Sequence, residues 1–185
     1  MFRDQDQIQV FDDVIPEFLQ DYLLVNIFGK VGDQQIFPTI DFKIKYELTA
    51  EENGVVPISF THTLKSSNSL SPNLANFSLI PLKVCDKLNI YLKDIIVGRV
   101  FLTMPYNSSL EHARPHTDRA IPHWVVLYYV NDADGDTVFF DRSGKEFERV
   151  TPKKGRVVFF NGNIMHGGGI PRTTPRCVVN FNILI

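Results

Sequence analysis

The stretch "HWVVLYYVNDADGDTVFF" occupies residues 123–140. Its first eight residues are almost all apolar and rich in Val and Tyr, which favour extended backbone. A polar segment carrying Asp134-Gly135 follows, and then the short apolar run "TVFF". Two β-rich runs around an Asp-Gly turn predict paired strands. The same texture continues outward in both directions. "IIVGRVFLTM" (95–104) lies upstream, and "EFERV" (146–150), "RVVFF" (156–160) and "RCVVNFNILI" (176–185) lie downstream. Ser143-Gly144, Lys154-Gly155 and the Gly167-Gly168-Gly169 cluster separate them. Many short strands with regular turns predict a sandwich or a barrel-like double sheet.

The first half has a different texture. "IPEFLQDYLLVNIFG" (15–29) carries Ile15, Phe18, Leu19, Tyr22, Leu23 and Ile27 at helical spacing, with Pro16 near its start and Gly29 near its end. "QIFPTIDFKIKYEL" (35–48) alternates like a strand, and the polar segment Lys65–Ser78 reads as a loop, either a plain connection or an active-site lid. A second helix is predicted from Pro81 to about Lys93, with Leu82, Cys85, Leu88 and Leu92 on its buried side. The chain therefore reads as one α+β, mainly β domain over residues 1–185. Residues 1–94 supply helical and strand support, and residues 95–185 form the β core.

Composition narrows the function classes. The chain has 185 residues, enough for one domain with a full core. Its 19 basic and 21 acidic residues give a net charge of -2, which argues against a nucleic-acid partner held by a basic face. No apolar run has the length of a membrane span, and "MFRDQDQIQVFDD" lacks the apolar centre of a signal peptide, so a cytoplasmic protein is expected. The two cysteines, Cys85 and Cys177, are expected as free thiols.

Chemistry gathers around "HTD" at 116–118. An i, i+2 pair on a strand puts His116 and Asp118 on one face, where one cation takes both. Alone, the pair reads better as a surface pair at a strand end. His166 lies 48 residues beyond Asp118, just after the strand at 156–160, and a folded double sheet can return it to a neighbouring strand. Two imidazoles and one carboxylate leave coordination positions open, as in the facial triad of non-haem Fe(II) oxygenases. Arg176, ten residues past His166, can grip a carboxylate with two parallel hydrogen bonds.

From about Val97 to the C-terminus the chain resembles the 2-oxoglutarate/Fe(II)-dependent dioxygenases, and most the prolyl-4-hydroxylase-like branch. "HTD" (116–118), "YYVNDADGDTVFF" (128–140), "KKGRVVFF" (153–160), "MHGGGI" (165–170) and "RCVVNFNI" (176–183) carry the resemblance. It implies a double-stranded β-helix, or jelly-roll, core. It implies His116, Asp118 and His166 as iron ligands and Arg176 as the partner of the far carboxylate of 2-oxoglutarate. Tyr129 and Tyr106 match tyrosines of the cosubstrate pocket, and Val178 and Asn180 share Arg176's face by alternation. Thr117 and Asn163 are candidates to orient a ligand. Arg114, Arg119 and His123 are candidate substrate contacts, with solvated or packed roles as the plain alternative. The implied activity uses Fe(II), 2-oxoglutarate and O2 and releases succinate and CO2. Its substrate would be a protein side chain of prolyl type or a small molecule such as a free amino acid. Two departures are visible: Gly135-Asp136 stands where the family has a glycine pair, and Arg176 where many collagen-type members have lysine. The competing readings are a non-catalytic cupin-like metal- or ligand-binding β-domain and a nucleic-acid demethylase. The oligomeric state is not readable from the sequence.

Overall fold

The apolar run at 124–129 is covered on both faces, and that explains why it hardly alternates in hydropathy. In the computed structural model, which describes residues 8–31, 34–35, 40–44 and 58–185, the chain forms thirteen strands and three helices among those residues. In order they are β1 (Ile8–Phe11), α1 (Glu17–Phe28), β2 (Lys30–Val31), β3 (Gln34–Gln35), β4 (Lys43–Ile44), β5 (Ser59–Ser66), β6 (Ser69–Leu70), α2 (Leu74–Phe77), α3 (Leu79–Leu88), β7 (Asp94–Thr103), β8 (Trp124–Tyr129), β9 (Thr137–Phe140), β10 (Glu146–Val150), β11 (Val157–Asn161), β12 (Met165–Gly168) and β13 (Arg176–Leu184).

The large sheet runs β1-β11-β8-β13-β7-β5-β4, with β6 paired to β5, and a second sheet runs β10-β9-β12. All of the pairings are antiparallel. Strand alternation divides the core in two. Val125, Leu127 and Tyr129 of β8 pack with Phe139, Val158, Phe160 and Val178 between the sheets. Val126 and Tyr128, one residue out of phase, pack with Val179, Phe181 and the helix residues Leu23, Ile27, Ile80 and Val84. This is the mainly β jelly roll with supporting helices that the sequence predicts. On β13 the inward positions are Arg176, Val178, Asn180 and Asn182, three of them polar, whereas Cys177, Val179, Phe181 and Ile183 are buried and apolar.

The helices depart from their predicted faces. In α1, Phe18 and Tyr22 are exposed, whereas Gln20 and Asn26 are buried. Gln20 Nε2 donates to Asp13 Oδ1 at 3.1 Å and to the Ile15 carbonyl at 3.0 Å, so a polar side chain occupies the inner face. Gly155, at φ 81, is where the β11 turn meets it; an added Cβ would sit 2.4 Å from Gln20 Oε1. Helix α3 begins two residues before Pro81 and ends at Asn89, whose left-handed conformation terminates it before Lys93. Its inner face is Ile80, Pro81, Val84 and Cys85; Leu82 is exposed.

The segment 65–78 is not a plain loop. It completes the β5–β6 hairpin and forms α2, and Ser71 Oγ lies 2.9 Å from Nε2 of the buried His62. The predicted strand over 35–48 is described only in part: 34–35 pairs with 30–31 and 43–44 pairs with β5, and the remainder lies outside the described residues. Both cysteines are free and buried. No described helix is long and apolar enough to cross a membrane.

Candidate metal centre and cosubstrate cavity

His116 and Asp118 do not sit on a regular strand. His116 instead forms an isolated antiparallel bridge with His166 of β12: each backbone amide donates to the other's carbonyl, at 3.0 and 2.9 Å. Convergence of the ligands therefore comes from a bridge to a strand that the sequence did not predict, not from i, i+2 alternation. The bridge places the two imidazole rings 4.9 Å apart. Asp118 Oδ1 lies 3.6 Å from His116 Nε2 and 3.7 Å from His166 Nε2. Ligand atoms of all three residues lie within 4.8 Å of one another.

The ring tautomers follow from the backbone. His116 Nδ1 donates to the Arg114 carbonyl at 3.0 Å, and His166 Nδ1 to the Ile164 carbonyl at 3.1 Å. Each Nε2 then presents its lone pair toward Asp118, the form in which imidazole binds a metal. Burial pushes the His166 pKa down and keeps that ring neutral. Phe160 holds the same ring edge-on at 4.9 Å.

Asp118 is oriented by two asparagines of β13. Its Oδ2 accepts from Asn180 Nδ2 at 3.0 Å and from Asn182 Nδ2 at 2.7 Å. Burial alone would raise its pKa; the amides of Asn180 and Asn182, together with His116 and His166 whenever those rings carry a second proton, hold it well below the usual carboxylate range. Two neutral imidazoles, one ionised carboxylate and their common focus fit a divalent first-row cation with open positions.

Next to these ligands is a cavity of about 290 Å³, lined by paired residues of β13 and β7 and by Ser59 of β5, which belong to three rungs across the sheet. Their Cα partners are Arg176–Thr103–Ser59, Val178–Phe101–Thr61 and Asn180–Arg99–Thr63. Arg176 closes the inner end and is 6% exposed. Its Nε donates to the Gly135 carbonyl at 2.7 Å and its terminal nitrogen to Thr137 Oγ1 at 2.8 Å. Among the described residues no carboxylate pairs with this buried guanidinium; desolvation lowers its pKa, and its remaining N–H donors are available to a ligand.

The other expected residues divide clearly. Val178 and Asn180 wall the cavity. Tyr129 does not reach it: its hydroxyl lies 2.6 Å from Thr137 Oγ1, and its ring lies under Arg176, 5.6 Å from centroid to guanidinium carbon. It therefore supports Arg176 from behind. Tyr106 is half-buried, outside the cavity wall, and its backbone amide donates to the Pro171 carbonyl at 2.9 Å. Arg114 is exposed and contributes its carbonyl to His116. His123 is a packed residue, 3% exposed; its Nδ1 donates to the Ile121 carbonyl at 2.7 Å, and a Cβ on Gly162 would fall 2.2 Å from its Nε2. Arg119 borders a small side pocket beside Asp118. Neither Thr117 nor Asn163 orients a ligand: the carbonyls of Arg114 and Ile164 and the amides of Asn180 and Asn182 do so.

Three contributors lay beyond sequence reasoning: Thr137, which bonds Arg176; Asn182, which bonds Asp118; and Arg99, which lies opposite Asn180. Parity along β13 already grouped Asn182 with Asn180, so that signal was present. The Gly135-Asp136 departure is also resolved. A Cβ at 135 would sit 2.7 Å from the Gly169 carbonyl oxygen, and Gly169 N donates to the Asp136 carbonyl at 2.6 Å. Close approach of two backbones demands glycine at 135 and leaves 136 unrestricted.

Comparison with known proteins agrees with this geometry. A sequence model of the 2OG-Fe(II) oxygenase superfamily matches residues 104–184, a segment that holds all three candidate ligands and Arg176. No curated protein shows significant sequence similarity to the chain. Among solved structures, a 2OG-Fe(II) oxygenase family protein from Burkholderia pseudomallei superposes with TM-score 0.71 at 12% identity, covering 97% of this chain and 85% of that one. A Pseudomonas putida prolyl-4-hydroxylase gives 0.59 at 16% identity, covering 97% and 93%. HygX from Streptomyces hygroscopicus, solved with nickel, 2-oxoglutarate and hygromycin B, gives 0.61 at 13% identity, covering 99% and 87%. At these identities the likeness is one of fold. Residues 104–184 are thus similar to the 2OG-Fe(II) oxygenase superfamily, and they carry on a jelly roll the His-Asp-His cluster that could hold an Fe(II) ion.

Proposed function

We propose that the chain is a hydroxylase of the prolyl-hydroxylase-like branch, acting on a protein side chain or on a small molecule. The observation that carries this reading is a metal-ligand cluster next to a buried arginine with no counter-charge, in one cavity. Iron and 2-oxoglutarate, when bound, supply the oxidising power for C–H hydroxylation, with succinate and CO2 as by-products. The chain's own residues do the rest. His116, Asp118 and His166 would hold the metal. Asn180 and Asn182 fix the Asp118 carboxylate in its ionised form. Arg176, backed by Thr137 and Tyr129, would receive the far carboxylate of 2-oxoglutarate, which needs a partner in so dry a site. Phe101, Leu127 and Val178 give the cavity apolar surface that limits water. Solved relatives in fold include both a prolyl-4-hydroxylase and a protein crystallised with an aminoglycoside, which supports keeping peptide and small-molecule substrates together at this level.

The test is an anaerobic titration of metal-free protein with Fe(II) and then 2-oxoglutarate. A visible charge-transfer band that needs both additions, and disappears in His166→Ala, is expected. Iron binding without any band on adding 2-oxoglutarate would overturn the assignment in favour of a metal-binding β-domain.

A further inference from the structure

The outer end of the cavity carries two arginines that the chemistry above does not use. Arg99 points from β7 into the cavity wall, opposite Asn180. It also borders a side pocket of about 100 Å³ shared with Arg119, Asp118, Asn180 and Asn182. Neither guanidinium forms an ion pair among the described residues. The Nε of Arg119 is buried and has no acceptor among the described residues. A buried N–H without a partner is costly, so such a group calls for an explanation. Asp118 lies on the same pocket but does not neutralise them. Its Oδ2 is taken by the two asparagines, and its Oδ1 faces the histidines.

We infer that this outer pocket is a receptor for an oxyanion carried by the prime substrate, with Arg99 and Arg119 as its specificity residues. Two guanidiniums border one small pocket whose single carboxylate, Asp118, is turned to the histidines and asparagines, and a planar fork suits a carboxylate or a phosphate. Size sets the next limit. The side pocket is about 100 Å³ against about 290 Å³ for the main cavity, so it suits a terminal group and not the whole substrate. The rest of the substrate must therefore lie in the main cavity, past Arg99, Phe101, Asp118 and Asn180, which border both spaces. The oxyanion thus sits next to a metal ligand, and the carbon that reacts is only a few bonds from the charge. The substrate class is a molecule or peptide residue with a carboxylate or phosphate ester close to its hydroxylated carbon. This inference rests on the proposed hydroxylase reading for its consequence, though the anion site itself stands on geometry.

The experiment follows the arginine Nε–H resonances of the intact protein, loaded with Zn(II) and 2-oxoglutarate, during titration with acetate and, separately, with inorganic phosphate. Saturable shifts of the Arg99 and Arg119 signals are expected, with the stronger anion naming the group. Arg119→Gln and Arg99→Gln each weaken the binding at least about tenfold, and Arg99→Lys restores part of it. Folding of each variant is checked by its amide spectrum. Shifts confined to Arg176 would mean that the anion merely competes at the cosubstrate end, and would overturn the proposal. Shifts at Arg99 and Arg119 that rise linearly without saturation, or saturable binding unchanged in both glutamine variants, would overturn it as well. Failure of the hydroxylase reading is seen separately, as a missing Fe(II)/2-oxoglutarate band in a protein that still binds the anion.

Discussion

Both ends of the cavity present guanidinium groups, and they are built in opposite ways. At the inner end Arg176 is 6% exposed, bonded to the Gly135 carbonyl and Thr137, and underlain by Tyr129. At the outer end Arg99 is exposed and Arg119 half-buried, and the Arg119 Nε has no acceptor among the described residues. Pre-organised donors suit one constant ligand, because the ordering is done once, in folding. Unsupported donors at a mouth suit a group that arrives with a variable substrate. The difference teaches which end should tolerate change: substitutions inside should disable every reaction, and substitutions outside should alter the choice of substrate.

The largest expected effect comes at the metal ligands between the two ends. His166→Ala removes one donor and leaves a void against Phe160, so metal affinity should fall by more than about a hundredfold and the charge-transfer band should vanish. A band of normal intensity in that variant would break the assignment of the cluster. Arg176→Gln should come next. Truncating a buried, hydrogen-bonded charge partner costs about 2–5 kcal/mol, which puts the KM for 2-oxoglutarate up at least about thirtyfold in a succinate-release assay. Arg176→Lys should recover only part of this, since an ammonium cannot supply the fork to Gly135 and Thr137. If Arg176→Gln left that KM unchanged, the contrast between the two ends would have no basis.

How much of this was legible in the sequence follows from what each residue packs against. Strands 95–104, 123–130 and 176–185 were readable because both faces of the large sheet are covered and the runs became apolar. Strand β12 was not, because Met-His-Gly-Gly serves a bridge and a close backbone approach rather than a core. Strand β5 was missed because the side that carries Ser59, Thr61 and Thr63 is polar, and of these only Ser59 lines the cavity. In α1 the apolar spacing pointed to Phe18 and Tyr22, whereas Gln20 takes the inner face to satisfy the Ile15 carbonyl. The candidate ligand set was readable from residue type and the family resemblance together, since His-x-Asp alone reads better as a surface pair. Thr137 reaches Arg176 across the two sheets and Arg99 meets Asn180 through strand register, neither of which one sequence displays, whereas Asn182 shared Asn180's parity.

Asn182→Ala sharpens the comparison between a ligand and its support. It removes the 2.7 Å donor to Asp118 Oδ2 and leaves Asn180 in place. Loss of such an outer partner lowers metal affinity about 10–100-fold, and with Asn180 remaining the lower figure is expected, measured by competition with a chromogenic chelator. An unchanged affinity would mean that Asn180 alone orients the carboxylate.

The smallest effect lies far from both ends, where β1 meets the support of the sheet. Asp12 accepts from Arg156 at 2.7 and 3.1 Å and from Lys153 at 3.0 Å. The hydrogen bond from Arg156 is the main reason that its pKa falls from 3.8 to about 2. A carboxyl whose folded pKa is depressed stabilises the fold above its unfolded pKa, and that contribution fades as pH falls toward the folded value. Wild-type stability should therefore carry a component that is full above about pH 4 and lost by about pH 2, and Asp12→Asn should lack it. The pair is largely solvated, so the difference at neutral pH should be under about 1 kcal/mol and should shrink in salt. Urea unfolding of both proteins across this pH range measures it. A larger loss, or one that also moves the KM for 2-oxoglutarate, would show that the N-terminal strand acts on the inner end of the cavity and not merely on the fold that carries it.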